Sequence, residues 1–282
     1  NLWDGSSLKG KKIVLYGEQG LGDEIRHASM VPDMLKMGAE VHVECEPRLV
    51  EIFQRSFEGA KVFPCPYNEA ETGEVDFDFQ SPILDLGGFL RPTIDSFPSD
   101  PNHAFLKPDP KRKVFWGERL KSLGPHPKVG MIWQSSKAVG GRGRWGATVE
   151  ELEPILSING IDFVNLMYVE CVEDRAKMQE MYGVNLHTWD DIDLRNDQDD
   201  LCALISNLDL VVSHTSSVAY TAAGLGIPTF NFMPIKIYFD LLGDPEAPGW
   251  APSLRYFRKT IHEDWDGPLN KIAAEIRAKF NL

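Results

Sequence analysis

The sequence predicts an α/β protein made of two parallel sheets in tandem, and three observations carry that expectation. Apolar, β-branched runs of strand length alternate with helix-period segments almost from end to end, the pattern of βαβ units. The alternation pauses near the middle, at Gly124-Pro125-His126-Pro127, and then restarts. The composition, 43% apolar with 7 Trp and 15 Phe among 282 residues, holds enough core material for two domains of ordinary size. Residues 1–125 are expected as the first domain and 126–282 as the second.

In the first half, Lys12 to Tyr16 reads as a strand, Asp23 to Lys36 as a helix and Glu40 to Val43 as a second strand. Pro47 to Arg55 follows as a helix and Lys61 to Phe63 as a strand. From Pro64 to Lys107, prolines and glycines are dense, and only Pro82 to Asp85 has a strand pattern. A helix over Lys111 to Leu123 leads into the central pause. Beyond it come a strand Lys128 to Trp133, a helix Thr148 to Leu156, a strand Asp162 to Leu166 and a helix Glu173 to Met181. A short strand Val184 to Leu186, a helix Asp199 to Asn207, a strand Asp209 to Val212, a helix Ser216 to Leu225 and a strand Pro228 to Asn231 complete the alternation. A last helix, Trp265 to Phe280, closes the chain.

With 29 basic and 42 acidic residues, a net charge of −13, the chain is a poor partner for nucleic acid or an anionic membrane, which are gripped by clustered Lys and Arg. No apolar run approaches the roughly 20 residues of a membrane span, and the opening NLWDGSSLKGKK lacks a signal core. Cys45, Cys65, Cys171 and Cys202 form no CxxC pair and no zinc-like spacing, so they read as core residues in a reducing, cytoplasmic setting. The first residue is Asn1 rather than Met, which fits a piece of a longer protein.

Three segments have the composition of a site. Tyr16-Gly17-Glu18-Gln19-Gly20-Leu21-Gly22-Asp23 runs from a strand through three glycines into a helix, so its backbone can approach a ligand and its free N–H groups can meet a polar oxygen. The spacing is G-x-x-G-x-G, which is not the dinucleotide fingerprint. Asp23 fits a helix N-cap or a general base at a cleft edge, with Glu18 and His27 as competitors for the second role. Ser213-His214-Thr215-Ser216-Ser217 puts four hydroxyls and a histidine between a buried strand and a small-residue helix, more polar groups than a cap needs and a plausible cradle for a diphosphate. Ser135 to Trp145 gathers Lys137, Arg142 and Arg144 among glycines, as a phosphate-covering loop or a solvated surface loop would. Asp76-Phe77-Asp78 and the acidic stretch Asp190 to Asp200 read as structural rather than as metal sites, the second because acids favour a helix N-terminus.

Leu2-Trp3-Asp4-Gly5, the glycine segment to Asp23, Val129-Gly130-Met131-Ile132-Trp133, Leu208 to Ser213 and Ala222-Ala223-Gly224-Leu225-Gly226-Ile227-Pro228 together resemble the glycosyltransferase-like domain that follows tetratricopeptide repeats in many bacterial proteins. That domain is similar to the ADP-heptose:lipopolysaccharide heptosyltransferases and, more distantly, to the O-linked N-acetylglucosamine transferases. The resemblance implies a GT-B architecture, two Rossmann-like domains facing across a cleft, with the nucleotide-sugar held by the C-terminal one, no required metal or cofactor, and a last helix that crosses back onto the first domain. It also implies Asp23 as the base that takes the acceptor proton, beside an acceptor-side loop of Gln19, Gly20 and Gly22. His214, Thr215, Ser216 and Ser217, with Lys137 and Arg144, are implied as donor-binding residues. Departures exist: relatives carry Asp-Thr and, a turn later, His where this chain has Thr215, Ser216 and Tyr220, and the O-linked transferases carry Asp where this chain has Ala219.

The expected function is therefore an inverting glycosyltransferase moving a sugar from a nucleotide-sugar to a glycan or protein hydroxyl. The alternatives are an inactive GT-B scaffold beside an upstream repeat array and a sugar-nucleotide epimerase of the same two-lobed shape.

Overall fold

The computed structural model describes residues 1–66, 76–100, 102–134, 146–234, 246–260 and 262–282. Its first half contains β1 (Lys12–Tyr16), α1 (Leu21–Ala28), α2 (Val31–Lys36), β2 (Glu40–Cys45), α3 (Val50–Ser56), β3 (Lys61–Pro64), β4 (Phe79–Pro82) and α4 (Leu86–Leu90). Then come α5 (Pro110–Lys121), β5 (Lys128–Ile132), α6 (Glu153–Leu156), β6 (Asp162–Asn165), α7 (Val172–Tyr182), α8 (Gln198–Ile205), β7 (Leu210–His214), α9 (Ser217–Gly224), β8 (Thr229–Pro234), β9 (Leu254–Lys259) and α10 (Asp266–Phe280). Every strand pairing is parallel, in the orders β3-β2-β1-β4 and β6-β5-β7-β8-β9. This is the doubly wound α/β arrangement expected from the alternation.

In both sheets the strand order reverses beside a candidate segment. In the first, the chain leaves β1 toward β2 on one side and returns to its other side with β4, so the reversal lies at the glycine segment. In the second, β5 is flanked by β6 and β7, so the reversal lies where β5 runs into residues 133–134 and β7 into the hydroxyl run. Ligands of open α/β sheets bind outside the carboxyl ends of strands at such reversals, because the diverging loops leave a crevice there.

Several elements differ from expectation for local reasons. The expected helix from Asp23 to Lys36 is two helices, α1 and α2, because Pro32 in the first turn of α2 has no N–H to continue the ladder. The expected helix from Thr148 is helical only over Glu153–Leu156. Thr148 and Glu151 exchange side-chain hydrogen bonds with each other's N–H at 3.3 and 2.8 Å, and Pro154 cannot donate to a preceding turn. The expected strand Pro82 to Asp85 lies earlier, at Phe79–Pro82. Asp78 takes the Lys12 N–H at 2.8 Å and fixes that register, and buried Ile83 sits in a 3-10 turn instead. Val184 to Leu186 does not form a strand; the segment meets β6 through one bridge, Val164 to His187. β9, with alternating charge in Leu254–Lys259, was not expected and forms the sheet edge.

Two cores form. The first contains Ile13, Leu15, Val41, Val43, Ile52 and Phe53; the second contains Val129, Met131, Val164, Val211, Val212 and Phe232. The last helix does not cross back as expected. Leu269, Ile272, Ala273 and Ile276 of α10 bury in the second core, against α6, β8 and β9. Helix α5, which the expected boundary at 125 assigns to the first domain, buries Trp116 and Leu120 in the second core. Asp200 of α8 fastens it there, accepting the Trp116 indole N–H at 2.6 Å and two N–H groups of Arg112. Conversely Ala219, Tyr220, Ala223 and Trp250 join the first core, so an apolar seam runs between the halves.

Candidate active site

The glycine segment is shaped by its own requirements. The Gly17 N–H donates to the Glu44 carbonyl at 2.9 Å, Gln19 adopts a left-handed φ of 70°, and Gly20 caps α1 in an extended conformation. A Cβ on Gly17 would lie 2.4 Å from the Glu24 carboxyl carbon, so glycine there makes room for a buried acid. Gly22 makes room for a helix: its Cβ would lie 3.1 Å from Tyr220 Cδ2 and 3.5 Å from Ser217 Cα. Helix α1 thus starts directly against the start of α9, and the two expected segments come together across the seam.

Asp23, the expected base, lies in the first turn of α1 with its side chain 40% exposed. It is not the N-cap, which is Gly20. Its carboxylate meets buried Arg26 at 3.4 Å, and the Arg26 guanidinium sits 6.0 Å from the centre of the Tyr220 ring. Of the competitors, His27 is buried, bonds the Asp23 carbonyl through Nδ1 at 2.8 Å, and has its pKa pushed down to about 4 by burial. It is a neutral structural ring near pH 7. Glu18 is half-buried. Glu24 was not expected: burial raises its pKa to about 7, and its carboxylate accepts the Glu46 N–H at 2.8 Å. A polar residue on the core face of an amphipathic helix was the available signal for it.

The hydroxyl run lies where α9 begins. Ser216 is the N-cap, accepting the Ala219 N–H at 3.3 Å, and its hydroxyl contacts the Ser213 hydroxyl at 3.0 Å. Thr215 and Ser217 are half-buried, and Thr215 reaches Asn231 Oδ1 on β8 at 3.3 Å. His214 is 2% exposed. The Gln134 and Thr215 backbones lie against its ring, neither ring nitrogen completes a hydrogen bond of good geometry, and burial pushes its pKa down to about 4. His214 therefore packs beneath the run rather than lining it.

Lys137 and Arg144 lie outside the described residues. The ends of their segment are pinned together: the Ala147 N–H donates to the Trp133 carbonyl at 3.0 Å, and a Cβ on Gly146 would lie 2.5 Å from that oxygen. Among the described residues, no group of three or more His, Cys, Asp or Glu is arranged to hold a metal ion. No helix among them is long and apolar enough to cross a membrane.

A cavity of about 420 Å³ opens beside α1, walled by Arg26, His27, Leu84, Arg91, Phe97 and, from the second half, Trp250. Its size falls in the range of small-molecule sites, about 300–1,000 Å³. Asp23 stands one turn before Arg26 and His27 on α1, and the Tyr220 ring of α9 packs on Trp250 of the cavity wall, so the cavity adjoins the face of α1 that meets α9.

No family model matches the sequence. Protein FlbA of Caulobacter vibrioides is 34% identical over 291 aligned positions, covering 98% of this chain and 48% of FlbA, so the chain spans about half the length of that relative. Among solved structures, a glycosyl transferase family 9 protein from Veillonella parvula superposes with a TM-score of 0.60 at 13% identity, covering 98% of this chain and 97% of that one. The E. coli ADP-heptose lipopolysaccharide heptosyltransferase II superposes with a TM-score of 0.58 at 13% identity, covering 96% and 98%. The paired parallel sheets, their reversals facing one seam and these superpositions over nearly whole chains establish the fold as GT-B, the one that family 9 glycosyltransferases share.

Proposed function

We propose that this chain is an inverting glycosyltransferase domain that moves a sugar from a nucleotide-sugar to a hydroxyl of a glycan or protein acceptor, without needing a metal. The observation that carries the reading is the contact of Gly22 with Ser217 and Tyr220, which sets the carboxylate-bearing turn of α1 beside the N-terminus of α9. The donor class follows the structural neighbour named for ADP-heptose. A protein as long as FlbA has room for a tetratricopeptide array beside this domain, the arrangement the repeat-linked reading needs.

In this reading the acceptor enters by the cavity beside Arg26 and Trp250, and Asp23 takes the proton from its hydroxyl as that oxygen attacks the anomeric carbon. The sugar–phosphate bond breaks and the departing diphosphate gains negative charge. Backbone N–H groups at the α9 start, the hydroxyls of Thr215 and Ser217, and the cations Lys137 and Arg144 stabilise that charge, while Ser216 and His214 hold the turn in shape. Gln19, Gly20 and Gly22 form the acceptor-side loop that lets the two helix starts approach.

A second reading, a binding or scaffold domain without turnover, is favoured by the pairing of Asp23 with Arg26, which occupies the proposed base. The experiment that separates them is calorimetric titration with a panel of nucleotide-sugars and nucleoside diphosphates, with chelator, alongside product assays on the protein and on Asp23→Asn. An active enzyme binds in chelator and loses product formation, not affinity, in the variant. Binding without product in either protein supports the scaffold, and no binding to any of the panel removes both nucleotide readings.

A further inference from the structure

The hydroxyl run offers fewer hydrogens than its composition suggests. The Ser213 hydroxyl donates to the His214 carbonyl, so its contact with Ser216 Oγ at 3.0 Å must be filled by the Ser216 hydrogen. Ser216 Oγ also accepts the Ala219 N–H. Both serines have therefore committed their hydrogens inside the protein. Thr215 has done the same, donating to Asn231 Oδ1 at 3.3 Å.

Asn231 is the odd member of this set. It lies on β8 in register with Ser213, is 0% exposed, and its Nδ2 is buried with no hydrogen-bond partner among the described residues. A buried amide N–H left without a partner has given up its water with no hydrogen bond to offset the loss. Half a turn about the Cβ–Cγ bond exchanges Oδ1 and Nδ2 within the same volume. The amide then donates to Thr215 Oγ1, the buried N–H is satisfied, and the Thr215 hydrogen is released to point outward from a half-buried side chain. The exchanged carbonyl oxygen takes the unpaired place, which is the cheaper group to leave there.

We propose that Asn231 is a positioning residue: it gives its amide hydrogen to Thr215 Oγ1 and so turns the Thr215 hydroxyl toward a phosphate oxygen at the start of α9. An anion selects this orientation because only then does Thr215 donate to it. The inference rests on the reading of the α9 start as a diphosphate site. It adds a residue outside the hydroxyl run and limits the donating hydroxyls to Thr215 and Ser217.

The test is a double-mutant cycle for inorganic pyrophosphate affinity with Thr215→Val and Asn231→Asp, the aspartate being isosteric and, when ionised, only an acceptor. With Asn231 in place, T215V weakens binding about tenfold, the size of one hydrogen bond to a charged group. On N231D, T215V changes it less than twofold, because the hydroxyl is already locked inward. An equal loss in both backgrounds overturns the proposal. A second measurement needs no ligand: in protein labelled with ¹⁵N-asparagine, the Asn231 side-chain amide signals, identified by their absence in N231D, shift and exchange faster in T215V. Signals unmoved by T215V overturn the proposal whatever binds. Failure of the wild-type protein to bind pyrophosphate instead removes the diphosphate reading itself.

Discussion

Gly22 of α1 lies against Ser217 of α9, where a Cβ would stand in ordinary contact with the Ser217 Cα, 3.5 Å away. The contact joins the two halves at the point where both strand orders reverse, and the tight neighbour of Gly22 there is the Tyr220 ring edge. Gly22→Ala should be nearly neutral, because the gain in helix propensity offsets a tight contact with a ring edge at 3.1 Å. Gly22→Val should force the helices apart and cost about 1–3 kcal/mol in urea unfolding, with weaker nucleotide binding. Equal stability of the two variants would mean that the helices part freely.

Asp23→Asn should lower turnover by about 10²- to 10⁴-fold, the usual worth of a general base, while leaving nucleotide affinity within a factor of two. Turnover and calorimetry on the same preparation check both halves of this expectation. Asp23→Asn also takes the charge from the contact with Arg26, so thermal unfolding of the variant separates a lost base from a loosened helix.

Asp200→Ala should destabilise the packing of α5 on the second half. It strips partners from the Trp116 indole and the Arg112 guanidinium and leaves a buried N–H unsatisfied. Leaving the buried indole N–H without its acceptor costs about 1–3 kcal/mol, the 42% exposed Arg112 being free to turn to water, and Asp200→Asn should lose less because one acceptor oxygen remains. Chemical denaturation of the two variants measures the difference.

The legible parts of the fold were those encoded by local pattern. Strands such as Leu210–His214 announce themselves because both faces are buried, and Asp197, within the acidic stretch read as favouring a helix N-terminus, caps α8. The glycine segment and the hydroxyl run stand out in the sequence because their residue types exceed what a turn requires. What the sequence could not show was long-range accounting. Whether Ser216 faces a ligand or its own helix, whether His214 lines a pocket or a core, and that Asn231 sits beneath Thr215 all depend on strands distant in the chain. The crossing back of the last helix is implied by the resemblance alone, since the amphipathic pattern of Trp265 to Phe280 specifies a buried face but not its partner, and that face packs in the second core.

Stability should fall from mildly acidic toward alkaline pH because of Glu24. Its pKa is raised to about 7 from an ordinary 4.5, so the folded protein holds a proton that the unfolded chain releases between those values. The stabilisation is complete below 4.5, is lost as pH rises to 7, and leaves a penalty above it of about 2 kcal/mol after allowance for solvent screening. Glu24→Gln should keep the bond from the Glu46 N–H and flatten this limb. His27 and His214 act with opposite sign. Their pKa values near 4 mean that stability present above 6.5 is lost as pH falls toward 4. Urea midpoints of wild type and E24Q from pH 4 to 9 check both limbs, and parallel curves would contradict the assignment of the upper limb to Glu24.

The most direct measurement is a crystal structure with a nucleoside diphosphate bound. The account predicts phosphate oxygens on the backbone N–H groups opening α9, within reach of the Thr215 and Ser217 hydroxyls, and the Asp23 carboxylate facing the same gap. A diphosphate seated elsewhere, or an Asp23 side chain turned away from it, would contradict the account.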